Sequence, residues 1–150
     1  MQQVEYEKTT EIPLDVMWDF IKDFDNWAHL LNGYQGHHTL NDRESIWEVK
    51  GTIGKYRRQT KFHATITEWV QRQKVAFKVD GVNEVVNGFG NVELRTPNGG
   101  RQPTTLSTTL GIEVGGAFGP VINRILTPWV KTVAEELVEN IIAAVNPSDP

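Results

Sequence analysis

Val4, Tyr6 and Lys8 alternate with Gln3, Glu5 and Glu7 over the first ten residues, a two-residue period that predicts an edge strand. Ile12-Pro13 ends it. From Leu14 the period lengthens, with Leu14, Met17, Phe20, Ile21 and Phe24 on one helical face and Asp15, Asp19, Lys22 and Asp23 opposite, which predicts a short amphipathic helix with Pro13 in its first turn. Asp25-Asn26 caps a second short helix carrying Trp27, Leu30 and Leu31, and Asn32-Gly33 closes it.

After Tyr34 the helical pattern is absent for roughly eighty residues, and apolar alternation is punctuated by turn signals such as Asn41-Asp42, Asp80-Gly81 and Pro97-Asn98-Gly99-Gly100. This predicts a meandering antiparallel sheet with strands at 35–41, 45–53, 56–70, 73–80, 84–95 and 103–114. Sets such as Trp47/Val49/Ile53, Phe62/Ala64/Ile66, Val75/Phe77/Val79 and Leu106/Leu110/Ile112 mark one buried face. The tail from Gly119 is the longest periodic segment. Ile122, Ile125, Leu126, Trp129, Val133, Leu137, Ile141 and Val145 line one stripe, so a long amphipathic helix closes the chain, with Pro128 kinking it or starting its main part.

Together these elements predict one α+β domain over 1–150, in which a curved antiparallel sheet of about seven strands grips the long C-terminal helix and two short helices follow the first strand. Small inward residues, Gly88, Gly90 and Thr108, are expected to leave a cavity between sheet and helix, opening near the short helices and the loop at 115–119. The expected lining is Phe24, Trp27, Leu31, Phe62, Ile66 and Phe77, continued by Val86, Gly88, Leu106, Leu126 and Trp129. Strict alternation also sends Arg58 inward beside Tyr56 and Thr60, where it would orient a carboxylate or carbonyl.

Composition narrows the function classes. The 150 residues carry a net charge of −4, so no global cationic field gathers nucleic acid. Cysteine is absent, which removes disulfides, thiolate metal sites and thiol nucleophiles. The amino terminus has no apolar core of signal-peptide length and no stretch of membrane-spanning length occurs, so the chain reads as cytoplasmic. The four histidines, His29, His37, His38 and His63, lack metal-ligand spacing, and alternation puts His37 and His38 on opposite faces. None of Ser45, Ser107 and Ser148 stands in a nucleophile elbow. Gly51 to Lys55 and Gly88-Phe89-Gly90 fall short of phosphate-loop and dinucleotide fingerprints, so no cofactor is expected. Lys50, Lys55, Arg57, Arg58 and Lys61 form a run of cations without an intervening acid, a solvated hairpin face or a docking surface for an anionic membrane or acidic protein.

The run Ile12-Pro13-Leu14-Asp15-Val16-Met17-Trp18-Asp19-Phe20-Ile21-Lys22-Asp23 resembles the opening of the START-like, polyketide-cyclase-like helix-grip superfamily, where a strand leads into P-x-x-V-W-x-x-(apolar)-x-D; here Met17 separates Val16 from Trp18. Within it the chain is similar to the family of accessory proteins associated with carbon monoxide dehydrogenase, through Leu31-Asn32-Gly33, Val49-Lys50-Gly51 with Ile53-Gly54, and Val114-Gly115-Gly116-Ala117-Phe118-Gly119. The resemblance implies the helix-grip fold and a cavity for lipids, sterols, hormones or polyketides; its motifs are structural. It implies three functional readings. The first is a non-catalytic carrier of a lipid-, quinone- or polyketide-like molecule. The second is an accessory protein that docks a carbon monoxide dehydrogenase-type oxidoreductase or a membrane surface. The third is a cyclase or dehydratase, for which Arg58, Tyr56, His38 and Tyr34 are the inward polar groups.

Overall fold

The computed structural model describes residues 3–53, 56–82, 85–97, 103–117 and 119–145. Strand β1 (Gln3–Thr10) is followed by helix α1 (Leu14–Ile21), helix α2 (Phe24–Trp27) and a 3-10 turn at Ala28–Leu30. Six strands come next: β2 (Tyr34–Thr39), β3 (Glu44–Ile53), β4 (Tyr56–Val70), β5 (Lys74–Gly81), β6 (Val86–Arg95) and β7 (Thr104–Val114). Helix α3 (Gly119–Val145) ends the fold. Each expected element is present.

All seven strands pair antiparallel in the order β1-β7-β6-β5-β4-β3-β2, so the first strand returns to pair with the last. Helix α3 lies chiefly on β7 and β1. Pro13 sits one position ahead of the expected one, as the extended residue before Leu14, and its carbonyl accepts the Met17 N–H. Pro128 does not divide α3, which runs through it as one helix; the residue is exposed, so the missing N–H leaves the Arg124 carbonyl at a solvated surface.

The turn out of the short helices is fixed by Gly33. Its φ of +85° suits glycine, and a Cβ there would collide with the Lys50 carbonyl. Its own carbonyl accepts the Lys50 N–H at 2.7 Å, tying the turn to β3.

The core lies between α1, the C-terminal half of α3 and the inner face of β5 to β7. Met17, Ile21, Trp27, Val92, Leu106 and Ile141 are fully buried there. Lys8 of β1 donates to Glu139 of α3 at 2.9 Å, and Asn32 donates to Glu136 at 2.8 Å, fastening this half of the helix at both sides.

Candidate functional site

Cross-strand register defines the inner face of the sheet. Trp47 stands opposite Phe62, Ala64 opposite Val79, Ile66 opposite Phe77, Phe77 opposite Gly90 and Gly90 opposite Leu110. The space beside the inward glycines is already taken. A Cβ on Gly90 would strike the Phe77 ring and Leu110, and one on Gly88 would strike the Gly111 carbonyl and Val79. Thr108 is buried and donates to the Asn91 carbonyl at 2.7 Å. These small residues seat their neighbours instead of opening a cavity.

The expected lining residues divide into two groups. Trp27 and Leu106 belong to the sealed core and present no surface to a ligand: Trp27 is fully buried, donates its indole N–H to the Ile21 carbonyl at 2.9 Å and packs against Phe77. Gly88 is likewise buried. Leu31, Phe62, Ile66, Phe77, Val86, Leu126 and Trp129 are only partly buried. Leu31 touches all three apolar clusters of the interior. Trp129 spans the concave space from α3, its ring edge 3.8 Å from the position of a Cβ on Gly51 of β3. One helical face continues from Trp129 to Ile122 and Ile125, which are exposed at 38% and 48%. The side chains of Phe24, Tyr56, Arg57 and Arg58, and Lys55 altogether, lie outside the described residues. Lys50 is exposed, and Lys61 stands 3.6 Å from Glu48.

The expected opening joins two places that the fold separates. Thr10, just before α1, pairs with Thr104 at one end of β7, whereas the loop at 115–117 follows Val114 at the other end. At this second end Asn123 of α3 clasps the backbone of Val114, accepting its N–H at 2.8 Å and donating to its carbonyl at 3.2 Å.

Two concavities are formed by described residues. A groove of ≈ 230 Å³ runs between α3 and the β1/β7 edge, lined by Val4, Ile112, Leu126 and Val130 among others. A larger pocket, ≈ 360 Å³, lies between α1–α2 and the inner face of β2 to β4; its walls include Asp25, His37, Ser45, Ile66 and Trp69. Two β-bulges shape it. In β2 the register steps from Tyr34↔Val49 to Gly36↔Glu48, making Gln35 an extra residue, so Tyr34 and His37 share the inner face. In β4 it steps from Ile66↔Phe77 to Glu68↔Ala76, which makes Thr67 extra and brings Trp69 inward with Ile66. Alternation alone would have turned His38 inward; the bulge turns in His37 and leaves His38 exposed.

His37 is held on three sides. Its ring stacks on Trp47 with centroids 5.2 Å apart, its Nδ1 lies 2.5 Å from the Tyr34 hydroxyl, and its Nε2 lies 2.7 Å from Asp25 Oδ1. An ionised Asp25 only accepts, so it takes the Nε2–H; in the neutral imidazole Nδ1 then accepts the Tyr34 O–H. Beside the pocket, hydrogen bonds from Asn41 and then His63 hold the Glu44 carboxyl below its usual range.

A seven-stranded antiparallel sheet gripping a C-terminal helix, with short helices after the first strand, defines the helix-grip class. The family model described as polyketide cyclase / dehydrase and lipid transport matches residues 1–146, and the chain belongs to that family. The narrower likeness to the accessory proteins of carbon monoxide dehydrogenase is not supported: the matching family is the cyclase and lipid-transport one, and the structural motifs behind that likeness are compatible with the wider superfamily. Among solved structures, a conserved protein from Geobacillus kaustophilus is similar with a TM-score of 0.76 at 18% identity, covering 98% of this chain and 97% of that one. The ZhuI aromatase/cyclase from Streptomyces sp. R1128 gives 0.67 at 13%, covering 97% and 93%. Truncated norcoclaurine synthase from Thalictrum flavum gives 0.69 at 12%, covering 99% and 95%. No curated protein matches the sequence. Among the described residues, no helix is long and apolar enough to cross a membrane.

Proposed function

We propose that the protein binds a small, mostly apolar molecule, lipid-, quinone- or polyketide-like, between the sheet and the N-terminal half of α3. One observation carries this reading: apolar side chains that face each other across the concave space, Phe62 and Phe77 on the sheet and Trp129 on the helix, stay partly exposed, while their counterparts one or two turns further along α3 are sealed. Apolar surface left accessible inside a fold gains about 25 cal/mol per Å² when a ligand covers it. Membership of a family described by cyclase, dehydrase and lipid-transport activities supports the same reading.

Native mass spectrometry of gently purified protein tests it directly, with an apolar molecule retained in the intact complex and released on denaturation as the expected result. Titration with 1-anilinonaphthalene-8-sulfonate supplies the second arm. Dye fluorescence should rise on binding and fall with Trp129→Ala; a protein that retains nothing and does not bind the dye refutes the proposal.

A further inference from the structure

We propose that the ≈ 360 Å³ pocket beneath α2 is a second binding site, separate from the space along α3, and that it takes an organic amine with an apolar or aromatic body. Its volume is that of a small-molecule site. The shape of its walls comes from the two bulges: the extra residue in β2 turns His37 inward and the extra residue in β4 turns Trp69 inward, on either side of β3. Bulges that re-aim single side chains concentrate beside functional sites.

The polar wall is preorganised. His37 is only 14% exposed, pinned by the Trp47 ring and the Tyr34 hydroxyl, and it orients the Asp25 carboxylate through a 2.7 Å hydrogen bond. That bond occupies Oδ1 and leaves the second carboxylate oxygen as an acceptor, on a side chain 64% exposed. The apolar wall is Ile66 with the indole of Trp69, 51% exposed and large enough to cover a ring or the face of an ammonium group.

The charge of the lining selects the sign of the ligand. Asp23, Asp42 and Glu44 join Asp25 in the wall, against Lys22 and Arg43. Both cations have other partners: Lys22 donates to Asp19 at 3.2 Å, and the Arg43 guanidinium reaches the Ile66 carbonyl at 3.5 Å. Glu44 keeps its charge well into the acidic range, since Asn41 and His63 both donate to it. An ammonium group therefore meets carboxylate at the rim while its hydrocarbon body lies on Ile66 and Trp69; a carboxylate ligand of the same shape meets repulsion.

The test uses 2-phenylethylamine, cationic at neutral pH, with 2-phenylethanol and 3-phenylpropanoate as neutral and anionic counterparts, followed by nitrogen–proton NMR of the full chain. The amine should shift the Trp69 indole N–H and the His37 amide, bind more tightly than the alcohol, and leave Trp129 unmoved. Asp25→Asn keeps an acceptor for His37 but removes the charge, and should weaken binding about tenfold, as loss of a charge-assisted hydrogen bond does. Trp69→Ala, at an exposed side chain, should weaken it several-fold without unfolding the protein. Equal binding by Asp25→Asn, tighter binding of 3-phenylpropanoate, or shifts centred on Trp129 would each overturn the proposal. The last outcome would place the amine in the space along α3, and retention of an apolar molecule there is measured independently.

Discussion

Helix α3 buries its inner stripe completely between Val130 and Ile141 and leaves the same stripe open between Val121 and Trp129. Val133, Ala134, Leu137, Val138 and Ile141 lie among α1, Leu31 and the middle of the sheet, whereas Ile122 and Ile125 remain substantially exposed. The difference does not come from the helix, whose apolar period is continuous. It comes from coverage: α1 packs over one half, and Trp129 reaches across the other to Gly51. Folding stability and ligand capacity are thus assigned to different turns of one helix, and substitutions along the stripe should separate them.

The largest effect is expected in the sealed half. Leu137→Ala should cost about 3–4 kcal/mol in urea denaturation, the usual loss for a fully buried leucine, and leave ligand retention intact if the folded fraction is restored by lower temperature. Gly90→Ala tests the boundary between the halves, because the added methyl must displace the Phe77 ring and Leu110; overpacking of this kind costs about 1–3 kcal/mol. Trp129→Ala should cost less than a sealed aromatic, about 1–2 kcal/mol rather than 3–5, because the ring is only partly buried. A loss as large as that of Leu137→Ala would erase the distinction.

Further out along the stripe, Ile125→Glu should change stability by less than about 0.5 kcal/mol yet lower dye binding, since it puts a charge on the face that continues from Trp129. The smallest effect belongs to Glu44, remote from both halves. Its folded-state carboxyl is held below the usual range, so the stability it contributes is present above the unfolded-state value and is lost as pH falls through the folded one. Acid denaturation of Glu44→Gln should therefore coincide with that of the native chain at its low-pH end and fall slightly below it near neutrality.

Strand parity and helix period made most of the architecture legible: β4, expected at 56–70, spans Tyr56–Val70, and α3 carries the expected stripe. The mouth was less legible, because small residues on a strand look alike whether they open a space or receive a neighbour's ring. Gly90 does the latter. The pocket under α2 was invisible for a stricter reason. Alternation assigns faces by counting, and an inserted residue changes the count without changing composition; Gln35 and Thr67 are ordinary strand residues, and only Gly36 beside the first of them hinted at irregularity. His37 was missed for that reason, and His38 was chosen in its place.

The bulge at Gln35 works as a shift of reading frame in three dimensions. Downstream of it each β2 side chain has the address its neighbour would otherwise hold, so deleting this one exposed residue would present His38 where His37 now stacks on Trp47 and would turn His37 to the opposite side. Two consecutive histidines make the exchange nearly silent in composition. The imidazole would still be there, but reached from a different rung, and Asp25 and Tyr34 would face it at distances set by a strand one residue shorter. A length change of one residue, neutral in most loops, is in this strand a change of inside for outside.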